Sequence, residues 1–170
     1  MIIVSIGIYL NDREDVFFKQ VRTGIQDKPF KIIKFRTMVK DAEKDGVAKW
    51  AEKNDKRITP IGKFLRVTRI DELPQLINVL IGDMSFIGPR PERPEFVTEL
   101  EKQIPMYNYR HAVKPGITGW AQVMYRYGSS TEDALKKLEY DLYYIRNYSL
   151  MLDVFIVLRT VRVVLFGMGR

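Results

Sequence analysis

Between Arg57 and Pro91 the chain sets Arg66 and Arg69 ahead of two adjacent carboxylates, Asp71 and Glu72. An apolar run closed by Gly82 follows, and then Arg90 stands between Pro89 and Pro91. Prolines and glycines at these positions dictate where helix can begin and end. Asp71 is a favoured helix N-cap, Glu72 suits the positive first turn, and Pro74 is tolerated there because the N–H it lacks has no intrahelical partner. Leu73, Leu76, Ile77 and Leu80 then recur at helical spacing up to Gly82, so the pattern predicts a short capped helix.

The same residues carry a chemical reading. Carboxylates bind a hard cation and arginines grip phosphate oxygens in pairs, so the arrangement can hold a metal ion and a polyphosphate together. Prolines on both sides of Arg90 stiffen its backbone and leave little entropy to lose on binding. Gly88-Pro89-Arg90-Pro91 equally fits a polyproline-type surface turn. Capping and reactivity are compatible, since a helix start holds a carboxylate beside N–H groups that also attract phosphate.

Composition narrows the partners. Lys and Arg number 28 against 21 Asp and Glu, a formal charge of +7, so the expected partner is anionic: nucleic acid, acidic lipid headgroups or a phosphorylated substrate. The absence of cysteine and the single histidine, His111, exclude disulfides, thiolate chemistry and a multi-histidine metal site. Base stacking needs exposed aromatics among the cations; the tyrosines here lie beside leucines at helical spacing, which favours packing over nucleic-acid binding.

In chain order, Met1 to Leu10 is apolar but well short of the roughly 20 residues that span a bilayer. It fits a buried first helix or strand, or the remnant of a longer membrane-associated segment. Val16–Val21 and Pro29–Met38 flank a polar turn and predict a hairpin. Lys34, Arg36 and Lys40 on its second half are either a solvated face or, for Lys34 and Arg36, phosphate contacts should the hairpin border the site. Val39 to Asn54 has the composition of a polar helix anchored by Trp50. A helix is expected over Pro94–Gln103, and a type II turn at Pro115-Gly116. Trp120 packs on the core or on a base, and His111 is expected to be structural. A further helix runs from Ser130 or Thr131 to Asn147, with Asp141 among Tyr140, Tyr143 and Tyr144, placed to orient an arginine or a metal-bound water, or else on the surface. The last helix, Leu150–Phe166, has Arg159 and Arg162 on one side and fits a membrane interface or a buried core element. The expected fold is α/β (α+β): one helix-rich domain with a small β-hairpin and amphipathic membrane-interface helices.

Phe17-Phe18-Lys19-Gln20, Lys34-Phe35-Arg36-Thr37-Met38, Arg66 with Asp71-Glu72-Leu73-Pro74-Gln75, Gly82 through Pro91, and Lys114 through Gln122 together resemble the bacterial sugar transferases. These are the monotopic polyprenyl-phosphate phosphoglycosyl transferases, and the ending Val161 to Gly167 is similar to their exopolysaccharide branch. The resemblance implies transfer of a sugar 1-phosphate from a UDP-sugar to undecaprenyl phosphate, with UMP released, at the cytoplasmic face of the bacterial inner membrane. It implies Asp71 as the nucleophile that forms a covalent phosphosugar intermediate, and Glu72 as the ligand of Mg²⁺. Arg66 and Arg90 are then the expected phosphate clamp, with Arg36 and Arg69 as further candidates and Asp141 organising the metal or the arginines. Membrane lipid headgroups and a homodimer partner are further expectations. Residues 1–10 would be what remains of the membrane segment and 11–170 the catalytic domain. A Mg²⁺-dependent nucleotide-sugar diphosphatase, and a non-catalytic basic binding module, are the rival readings.

Overall fold

The computed structural model describes residues 1–43, 55–125, 128 and 130–166. Among these residues it is an α/β fold, helix-rich, with two small two-stranded sheets. Helix α1 (Ile2–Asp12) ends on Arg13 in the left-handed region and leads to the hairpin of β1 (Phe17–Thr23) and β2 (Pro29–Phe35), paired antiparallel with Phe17 opposite Phe35. Helix α2 (Pro60–Val67) follows. Its N-cap Thr59 accepts from Gly62 N–H at 3.0 Å, and Pro60 takes the first position, where no N–H is needed.

The predicted polar helix over Val39–Asn54 finds no support in its described part, since residues 40–43 form turns; its remainder, 44–54 with Trp50, lies outside the described residues.

Asp71 is not a helix N-cap. Residues 70–72 form a single 3₁₀ turn entered through Arg69 at φ 58°, and α3 (Gln75–Ile81) begins only after Pro74. The expected stop at Gly82 is present, with φ 92°. The leucine stripe of α3 faces outward: Leu80 is 86% exposed, whereas Asn78 is fully buried. The reason is Asn78's amide. Its Oδ1 accepts from Ile33 N–H at 3.0 Å and its Nδ2 donates to Lys31 O at 2.8 Å, so one side chain occupies the edge of β2 as a neighbouring strand would. Burying this polar face satisfies backbone groups that would otherwise go unpaired, and it pins α3 and the preceding turn to the hairpin.

Strands β3 (Ser85–Ile87) and β4 (Gly116–Thr118) pair in parallel. The expected type II turn at Pro115-Gly116 is not formed, because such a turn needs a positive φ at the glycine and among the described glycines only Gly82 has one. Gly116 is instead required by close approach. A Cβ there, or at Gly119, would collide with the Gly88 backbone.

Helix α4 (Pro94–Gln103) and helix α6 (Thr131–Asn147) build one core cluster from Val97, Leu100, Ile104, Tyr107 and Leu138. Ser130 and Asp133 close α6 with a reciprocal capping box. A second cluster joins Ile8 of α1, Phe35 of β2 and Leu65 of α2, so α1 packs on the body of the fold. Burying such side chains contributes about 1.5–3 kcal/mol each. Between α6 and α7 (Leu150–Leu165), Trp120 of α5 (Trp120–Met124) stacks on Tyr143 and tilts against Phe155. Among the described residues no helix is long and apolar enough to cross a membrane.

Candidate active site

A cleft of about 1280 Å³ runs between the hairpin, α2, the segment after β3, α6 and α7. Asp71 and Glu72 lie in its wall, both buried. After the left-handed Arg69 the two carboxylates follow α2 in the 3₁₀ turn, Glu72 N–H donating to Arg69 O at 3.2 Å.

Glu72 is ringed by cations. Its Oε1 lies 2.6 Å from Arg90 Nη2, 3.4 Å from Lys34 Nζ and 3.5 Å from Arg69 Nη1. Burial alone would raise the Glu72 carboxyl. Arg90, Lys34 and Arg69 outweigh that and hold it far below the usual carboxylate range. Burial lowers Lys34 to about 8 despite Glu72 beside it.

Asp71 differs from its neighbour. Its Oδ1 is buried and has no hydrogen-bond partner. Burial and the adjacent Glu72 charge push the Asp71 carboxyl up, against the pull of Lys34, Arg90 and Arg66. One carboxylate is thus neutralised by direct ion pairs, while the other is desolvated and presents an unshared oxygen.

Arg90 is held from several sides. Its carbonyl accepts from Arg110 Nη2 at 2.9 Å, Arg22 donates to Pro91 O at 3.2 Å, and Thr23 N–H donates to Glu92 O at 2.9 Å. Gly88, Pro89 and Pro91 are buried, so this segment is not a surface turn.

Asp141 is buried, not on the surface, and pairs with Arg110 at 2.7 Å. Burial raises the Asp141 carboxyl to about 6, in spite of the guanidinium. Arg110 also donates to Tyr107 Oη at 2.6 Å. Asp141 lines the cleft together with Arg110, whose Nη2 also donates to the Arg90 carbonyl. Arg110 escaped sequence reading because nothing in its local sequence distinguishes it from a surface cation.

Arg66 lines the cleft and donates from Nε to Thr37 Oγ1 at 2.8 Å. Arg36 also lines it, but its Nε donates to Asp15 O at 2.5 Å, tying the two ends of the hairpin region. Arg159 and Arg162 of α7 face the same cleft, Arg159 lying over the Phe155 ring. His111 is buried against Asp27 at 2.6 Å, as expected of a structural histidine.

The donor set suits magnesium. That ion takes one or two carboxylates and completes its shell with water and substrate phosphates, and Glu72 offers a carboxylate in the cleft wall. Glu72 would have to exchange one of its cationic partners for the ion.

A family model described as bacterial sugar transferase matches residues 1–167. The chain is 48% identical over 169 residues to the UDP-N-acetylgalactosamine-undecaprenyl-phosphate N-acetylgalactosaminephosphotransferase of Aeromonas hydrophila, covering 99% of this chain and 40% of that protein. It is 45% identical over 160 residues to the UDP-glucose:undecaprenyl-phosphate glucose-1-phosphate transferase of Escherichia coli K12, covering 93% and 34%. It is also 45% identical over 158 residues to the uncharacterized sugar transferase EpsL of Bacillus subtilis, covering 91% and 72%. The chain thus spans well under half the length of the first two.

Proposed function

Since the chain belongs to the bacterial sugar transferase family, we propose that it transfers a sugar 1-phosphate from a UDP-sugar to undecaprenyl phosphate, with Asp71 as the nucleophile. The observation that carries this reading is the buried, unpartnered Asp71 Oδ1 within a cleft lined by arginines. A buried carboxylate oxygen with no hydrogen bond to break loses little solvation on attack, and fixed cations offset its repulsion from a diphosphate.

In the first step Asp71 forms an O–P bond to the sugar-bearing phosphorus. The bond from that phosphorus to the UMP oxygen breaks, and UMP leaves with the electron pair. In the second step an oxygen of the lipid phosphate attacks the same phosphorus and the Asp71–phosphorus bond breaks. Asp71 is regenerated and no net proton moves. Arg90 and Arg66 hold the phosphate oxygens, and the Asp141–Arg110 pair keeps the Arg90 backbone in place. Glu72 would hold Mg²⁺, which supplies charge neutralisation at the phosphates when bound.

The reading sets the protein at the cytoplasmic face of the inner membrane. The support is apolar exposure on α1, α3 and α7, where Ile3, Leu80 and Met151 are each more than four-fifths exposed. The test is to incubate the protein with several UDP-sugars, with and without undecaprenyl phosphate, and follow UMP. Sustained UMP release that depends on the lipid is expected; equal steady release without it would identify a diphosphatase instead.

A further inference from the structure

Beside Glu72, on the side away from the hairpin, lies a second hollow of about 240 Å³ between α3, β3, β4 and α7. Its polar side chains are few, and Arg69, Glu72 and Gln122 also line the Asp71 cleft. The residues it does not share with the cleft are almost all hydrocarbon, among them Leu73, Leu76, Phe86, Ile117, Val157 and Val161. Two exceptions, Thr118 and Thr160, are spent internally. Thr160 donates to Ile156 O at 2.8 Å and its oxygen lies 2.7 Å from that of Thr118. Each hydroxyl has one proton, so Thr118 must donate to Thr160, and neither offers a free donor to a ligand.

The two cavities therefore meet at a polar junction, one cationic and the other apolar. An amphiphile with a phosphate head and a hydrocarbon chain matches that division, the head drawn to the guanidinium of Arg69 and the chain to the hollow. The outer rim is continuous with exposed apolar side chains, Leu76, Phe86, Val157 and Val161 each being more than one-third exposed, so a long chain can leave it without meeting polar surface. We infer that this hollow seats the first isoprene units of the polyprenyl phosphate acceptor, with the acceptor phosphate at Arg69 facing Asp71. Its volume lies a little below the roughly 300–1,000 Å³ usual for pockets that enclose a small ligand, which suits the start of a chain whose remainder lies outside. The inference rests on the acceptor named under Proposed function.

Two measurements on the full chain test it. Exchange of labelled UMP into UDP-sugar without acceptor reports the first step alone. Val161→Trp, which fills the hollow, is expected to keep this exchange within about twofold of wild type while raising the KM for undecaprenyl phosphate at least about tenfold. An unchanged KM overturns the inference and leaves the proposed function standing. Absence of exchange in the wild type overturns both.

The second measurement needs no variant. A prenyl phosphate carrying a benzophenone near its phosphate end, in detergent micelles, is expected to label residues 73–76 and 157–164, and excess undecaprenyl phosphate should protect them. Labelling confined to other segments, or protection by phosphatidylglycerol as effective as by undecaprenyl phosphate, overturns the assignment.

Discussion

Arg90 Nη2 stands 2.6 Å from Glu72 Oε1, while the Arg90 carbonyl is gripped from behind by Arg110. The side chain and backbone of Arg90 are thus held by two different residues that both line the cleft. In this position the guanidinium holds Glu72 ionised.

Asp71→Asn should lower UMP release by at least about 10³-fold, since an amide oxygen is a poor nucleophile toward phosphorus. It should also abolish capture of radiolabelled phosphosugar on the protein. Turnover within a few-fold of wild type would sink the covalent route.

Arg90→Lys keeps the charge but loses the planar fork. An ammonium cannot serve Glu72 and a phosphate at the same time in that geometry, so kcat/KM should fall by about 10–100-fold. Steady-state kinetics on the UDP-sugar decide the matter, with a far-UV spectrum as the control for folding.

Glu72→Gln removes the shared counter-charge of Lys34, Arg69 and Arg90. Breaking a buried pair costs roughly 3–5 kcal/mol; Arg69 and Arg90 are 32% and 35% exposed, so about 2 kcal/mol near neutral pH is the expected loss. The folded carboxyl lies far below its ordinary value of 4.5. The stabilisation is therefore complete above about pH 4.5 and shrinks as the pH falls from there toward the folded value. Urea midpoints of variant and wild type should converge as the solution is acidified; a gap independent of pH would contradict the assignment.

Gly119→Ala should cost about 1–3 kcal/mol, because a methyl group there drives into the Gly88 carbonyl. The same displacement moves the start of the Arg90 segment, so activity should fall with stability. Thermal melts and UMP release on the same preparation check both effects.

The parts of the fold that depend on neighbouring residues were legible in the sequence. Ser130 as a cap, Gly82 and the hairpin runs all announce themselves through contacts within a few positions. The motif that brings Asp71, Glu72 and Arg90 to one cleft was legible too, because its residues keep their order and spacing.

Relations across the chain were not legible. Helical periodicity shows that α3 has an apolar face but not which face is buried, and Asn78 reverses the usual answer by serving the edge of β2. The pairing of β3 with β4 involves three-residue strands, too short for any alternation to register. Arg110 gains its place only when α6 brings Asp141 beside it.

Asn78 has a consequence beyond positioning. A two-stranded hairpin leaves an outer edge of free N–H and C=O groups, which is a template on which a strand from another molecule can add. With the Asn78 amide seated on Ile33 N–H and Lys31 O, part of that edge is already occupied by the chain itself. A protein that keeps Leu80 and Ile81 exposed nearby has particular need of such a block, and one asparagine protects it against self-association through β2 while the neighbouring apolar face stays uncovered.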